Sequence, residues 1–155
     1  MQGRMKETGK VCMLGFCLVV LLFPSGVLAR GKEYKVFTVD EYVKMSNPEP
    51  GKRHRLEILT DKDKATKLGG IVMIVPATAP KAVYHYHKNR ESLIMVISGQ
   101  ATEVVEGKEI PLKAGQLIYI PAMVKHVINN SSDKEDLRYT EFFTPAVPDV
   151  VEVKE

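Results

Sequence analysis

Turn-forming residues recur at short intervals along the second half of the chain: Pro76 to Pro80, Asn89, Gly99, Gly107, Gly115, Asn130 to Asp133 and Pro145. Between them stand short runs that are apolar, or that alternate apolar with polar, and almost nothing repeats at helical spacing. Turn signals this close together indicate an all-β sandwich or barrel. The expected strands are 71–75, 82–87, 92–98, 100–105, 109–112, 116–120, 124–130 and 137–144. Upstream, 53–59 also alternates, with His54, Leu56 and Ile58 on one face. Asp40 to Met45 reads as one or two helical turns, capped by Asp40 and ended before Pro48. Gly107 and Gly115 stand where tight hairpins need a residue tolerant of positive φ. The tail after Pro145 reads either as an added edge strand or as a loose end.

The first residues follow different rules. Arg4, Lys6 and Lys10 precede an apolar run from Val11 to Phe23, which Pro24, Ser25 and Gly26 break before Val27-Leu28-Ala29. A basic start, a short apolar run and small residues at its end describe a secretory signal cleaved after Ala29. The run is short for a membrane span, which needs about 20 residues. The expectation is therefore export to the periplasm or beyond the cell, with no stable membrane anchor after cleavage. Cys12 and Cys17 both lie inside this segment, so the mature chain has no disulfide and no thiolate ligand to offer. Any metal must be held by oxygen and imidazole.

Residues 30–155 suffice for one domain with a real core and are too few for two. The expected division is a flank over 30–70 with edge strands, a barrel over 71–145 and a tail over 146–155. The formal charge of +3 falls to +1 once three cations and Glu7 leave with the signal. That leaves no basic patch for nucleic acid.

The stretch HYHKNRESLIMVISG, residues 85–99, carries the chemistry. Side chains at i and i+2 on a strand share a face about 6.6 Å apart, so His85 and His87 can turn their imidazoles toward one ion. Two ligands hold a metal poorly. His126 is the natural third, on a strand that carries His126, Ile128 and Asn130 on one face. His54 reads as an ordinary strand histidine with no part in the site. Tyr119 and Glu141 lie on strands near these residues, but their spacing does not single them out as catalytic.

These blocks resemble the two motifs of the cupin family, G-x5-H-x-H-x3,4-E-x6-G and G-x5-P-x-G-x2-H-x3-N. The first matches His85, His87, Glu91 and Gly99, and the second, GQLIYIPAMVKHVINN, places Gly115, Pro121, His126 and Asn130 in register. Fifteen residues, Gln100 to Ala114, separate the two blocks, as in small cupins. The chain departs from the pattern at Ala79 and Met123, which stand where the motifs have glycine. A third departure concerns the glutamate column: counting forward from His87 it falls on Glu91, and counting back from Gly99 it falls on Ser92. One residue decides which side chain faces inward. Glu91 serves as a ligand only if a turn or bulge re-aims it.

The resemblance implies a double-stranded β-helix barrel holding one divalent ion, iron, manganese, nickel, copper or zinc, among His85, His87 and His126, with Glu91 a weaker fourth ligand. It also implies a small organic ligand or substrate, and a homodimer in which the flanks 35–39 and 147–153 add strands to exposed edges. Two functions fit. One is a metal-dependent enzyme of dioxygenase, isomerase or lyase type; the other is a non-catalytic module that binds a small ligand or carbohydrate. A barrel with three merely structural histidines is the blandest reading.

Overall fold

Burial alternates along the strands as the sequence pattern requires. In Glu91–Ser98, for example, Ser92, Ile94 and Val96 are buried while Glu91 and Leu93 are exposed. The computed structural model describes residues 36–47, 49–59, 65, 67–147 and 149–153. The expected signal segment, with both cysteines and its cleavage point, lies outside the described residues. Among the described residues no helix is long and apolar enough to cross a membrane.

In chain order the elements are α1 (Val39–Ser46), β1 (His54–Leu59), β2 (Gly69–Val75), β3 (His85–His87), β4 (Glu91–Ser98) and β5 (Gln100–Val105). Then come β6 (Lys108–Lys113), β7 (Leu117–Ile120), β8 (His126–Asn130), β9 (Leu137–Thr144) and β10 (Val150–Glu152). They form two five-stranded sheets, ordered β1-β2-β9-β4-β7 and β10-β3-β8-β5-β6, with every pairing antiparallel. Strands distant in sequence, such as β2 with β9 and β3 with β8, lie side by side, so the chain winds between the sheets as a double-stranded β-helix.

The main core holds Val75, Ile94, Val96, Ala101, Leu112, Ile120, Ile128, Leu137 and Tyr139, drawn from both sheets. A second cluster, Leu56, Ile58, Val72 and Ile74, packs with Phe37, Val39 and Val43. Its members alternate along β2 with Ile71, Met73 and Val75, so β2 buries both faces. This explains why GGIVMIV is apolar throughout instead of alternating.

Several boundaries differ from the sequence reading, each for a physical reason. The expected strand 82–87 shortens to His85–His87, because Ala82 N–H donates to the Asn129 side chain and not to a strand neighbour. Thr38, not Asp40, occupies the N-cap of α1, and Asp40 sits in the first turn, where it accepts from Arg138 Nη1 at 3.2 Å. The helix ends at left-handed Asn47, φ 45°. The tail is an edge strand of its own chain, β10 on β3. In the opposite flank, residues 36–38 form no strand and α1 starts at Val39.

Candidate metal centre

β3 and β8 pair at a single register point, His85 opposite His126, and that pairing assembles the site. Period-two alternation sends His87 to the same side as His85. The three rings stand with centroids 4.6 Å (His85 to His126), 5.2 Å (His85 to His87) and 5.5 Å (His87 to His126) apart. One nitrogen from each lies within 4.8 Å of the other two. An equilateral triangle of that side puts each nitrogen about 2.8 Å from its centre. Movements of under about 1 Å therefore bring all three to the imidazole–metal distance of 2.0–2.1 Å.

The outer nitrogens fix which atoms face inward. His85 Nδ1 lies 2.8 Å from Val83 O, His126 Nδ1 lies 3.0 Å from Val124 O and His87 Nδ1 lies 3.1 Å from Asp149 Oδ1. Each of these oxygens can only accept, so each ring carries a proton on Nδ1, and its neutral form keeps the lone pair on Nε2. Burial, helped by the charge of Arg90, lowers the pKa of His87 to about 4. Burial lowers that of His126 as well, against the Val124 bond that raises it. Both rings are neutral at physiological pH. Three imidazoles with one nitrogen each turned to a common point fit a divalent ion.

The glutamate column resolves in favour of Ser92. Ser92 is 2 % exposed and faces inward, whereas Glu91 is exposed and turned outward to Tyr119, whose pKa it raises after desolvation. The expectation of Glu91 as a weak ligand is therefore not met by the geometry: the turn over Lys88–Arg90 re-aims nothing, and alternation leaves the carboxylate outside. Tyr119 is on that outer face too. Ser92 Oγ donates to Glu141 Oε1 at 2.6 Å, so the inward carboxylate comes from β9 instead. Glu141 also lies close enough to His126 to raise that ring's pKa. His54 belongs to β1 and takes no part in the cluster.

Three charged residues escaped the sequence reading. Arg90 is 4 % exposed, with its guanidinium 3.8 Å above the centre of the Phe143 ring, 3.9 Å from Glu141 and 3.7 Å from Asp149. Glu103 is completely buried, and neither of its carboxylate oxygens has a hydrogen-bond partner. Asp149 enters from the tail. No local pattern marks Arg90 or Asp149, which meet where β10 pairs with β3. The apolar alternation of β5, interrupted by an acid at an inward position, is the one signal that points to Glu103.

Comparison with known proteins agrees with this architecture. A double-stranded β-helix protein from Klebsiella pneumoniae superposes with a TM-score of 0.64 at 23% identity, covering 79% of this chain and all (100%) of its own. KdgF from Halomonas sp. is similar at 20% identity and a TM-score of 0.51, over 63% of this chain and 81% of its own. An oxalate decarboxylase matches at 21% identity and a TM-score of 0.56, over 70% of this chain and 30% of its own. No curated protein sequence matches this one. Residues 71–143 match the family model described as Cupin domain. Two antiparallel sheets wound as a double-stranded β-helix and this match together show that residues 71–143 form a cupin domain.

Proposed function

We propose that this cupin domain binds one divalent metal ion through His85, His87 and His126, and that a small organic molecule binds at the open positions of that ion. The convergence of three nitrogens whose opposite ring atoms are already hydrogen-bonded carries the reading. A divalent ion on three neutral imidazoles keeps its full charge, polarises a carbonyl and draws the pKa of bound water toward about 7. The chain's own residues supply the surroundings. Ser92 holds Glu141 in place as the carboxylate facing inward, and Arg90, buried over Phe143, sets a positive charge beside the histidines. The oxalate decarboxylase among the solved relatives, named for a small organic acid, is consistent with a ligand of that size. The reading also takes the chain to be exported after cleavage at Ala29 and to form a homodimer. Intact-mass measurement of protein from the culture medium or periplasm should show a chain starting at Arg30.

Elemental analysis of purified protein, with the variants His85→Ala, His87→Ala, His126→Ala and Glu91→Ala, tests the site. Each histidine change should abolish stoichiometric metal, and Glu91→Ala should leave it unchanged. Metal retained in the His85 and His126 variants would show the three rings to be structural. A bound ion that exchanges small ligands without turnover would identify a binding module and not an enzyme. Among the metals, affinity order alone selects none.

A further inference from the structure

The chain does not stop being part of the site where the family match ends. Asp149 lies beyond residues 71–143, just before β10. Antiparallel pairing sets Val150 opposite His87 and Glu152 opposite His85, which lays this segment alongside both histidines. The Asp149 carboxylate accepts three hydrogen bonds, besides its 3.7 Å ion pair with Arg90. Oδ1 accepts from His87 Nδ1 at 3.1 Å, while Oδ2 accepts from the backbone N–H of Asn89 at 2.7 Å and of Arg90 at 3.0 Å. The two side chains keep 4% and 10% exposure, so little water competes for their bond. Burial opposes the charge of Asp149, but the bonds from Asn89, His87 and Arg90 outweigh it and hold the carboxyl below its ordinary value.

His87 differs in this from its neighbours. His85 and His126 each lean on a backbone carbonyl two residues earlier in sequence, a partner that the strand supplies whatever its side chains are. His87 takes its acceptor from a side chain 62 residues away. The same carboxylate holds the Asn89 and Arg90 amides in the turn between β3 and β4.

We propose that Asp149 is a positioning residue for the metal centre: it fixes the tautomer and ring orientation of His87, and with them the direction of its Nε2 lone pair. The proposal rests on the metal-centre reading. A carboxylate behind a ligating imidazole pins the ring and makes it a better donor, and loss of such a partner typically costs 10–100-fold in metal affinity.

The test uses the mature full-length chain with Asp149→Ala and Asp149→Asn, and Zn²⁺ as the probe in a chelator competition. Nitrogen-15 NMR of the imidazoles in metal-free protein gives a second, independent readout. Asp149→Ala should weaken Zn²⁺ binding by roughly 10–100-fold. In the metal-free protein it should abolish the single Nδ1–H tautomer of His87 while His85 and His126 keep theirs. Asp149→Asn offers one acceptor oxygen where the carboxylate uses two, so it should also weaken Zn²⁺ binding, by a smaller factor than alanine. Affinity within twofold of the parent, or an unchanged His87 tautomer in the alanine variant, overturns the proposal. Should the alanine variant fail to fold, unchanged affinity in the asparagine variant overturns it equally. If the parent binds no Zn²⁺ or other divalent ion, the metal-centre reading falls, and the tautomer measurement still decides whether Asp149 governs His87.

Discussion

Single residues at this site are of two kinds, those that a local pattern announces and those that only the fold brings in. The histidines belong to the first, because i, i+2 spacing on a strand is itself a statement about facing. Glu103, Arg90 and Asp149 belong to the second, since a lone charge in an alternating run says nothing about what lies across the barrel. Ser92 belongs to both: two counts placed the glutamate column one residue apart, and the side chain that is 2 % exposed decided between them. Glu103 has a measurable consequence. Burial, with Glu141 nearby, raises its pKa from 4.5 to about 8. The unfolded chain gives up this proton near the lower value and the folded chain keeps it to the higher one. Between the two the unfolded state binds fewer protons, so this group makes stability fall as pH rises, by up to about 1.4 kcal/mol per pH unit. Glu103→Gln should remove that slope, read as the difference between variant and parent in urea unfolding from about pH 5 to 8. Met123 offers a second test. It stands where the family has glycine and holds φ 67°, a conformation that costs a side-chain-bearing residue about 1 kcal/mol. Met123→Gly should recover roughly that amount in the same assay.

At the scale of elements, what was legible was set by how local the cause is. The strands from β4 to β9 could be drawn within a residue or two because each is bounded by turn chemistry in its own sequence. β3 could not, since Ala82 to Tyr84 are as extended in pattern as His85 to His87, and what ends the strand is a side chain from far along the chain, Asn129, that takes the Ala82 N–H. The tail was ambiguous for the same reason: β10 exists because β3 offers an edge. Two turn glycines separate backbone strain from steric conflict. Gly107, φ 79°, has nothing within 4 Å of where a Cβ would sit, whereas at Gly99, φ 80°, a Cβ would lie 2.6 Å from the Asp136 carbonyl oxygen. Gly107→Ala should cost about 1 kcal/mol, the strain alone. Gly99→Ala must also push backbone aside and should cost at least about 2 kcal/mol more, checked by paired denaturation curves.

For the whole molecule, one outward surface bears on assembly. Leu93 pairs with Tyr119 and Met95 with Leu117 across β4 and β7, and Leu93, Tyr119 and Leu117 are 41%, 54% and 55% exposed on the outer face of their sheet. If the proposed homodimer packs through this face, light scattering should give twice the chain mass, and Leu117→Lys should give a monomer. The distances in sequence across the histidine cluster carry a different consequence, one of timing. His87 meets Asp149 across 62 residues and Ser92 meets Glu141 across 49, while the β5–β6 hairpin closes within one tight turn. Contacts between remote segments must await the ordering of everything they enclose, which is why folds of this kind mature slowly. A complete set of three imidazoles therefore forms only once β8 has paired with β3. On the metal-centre proposal, Zn²⁺ uptake followed during refolding should report that pairing.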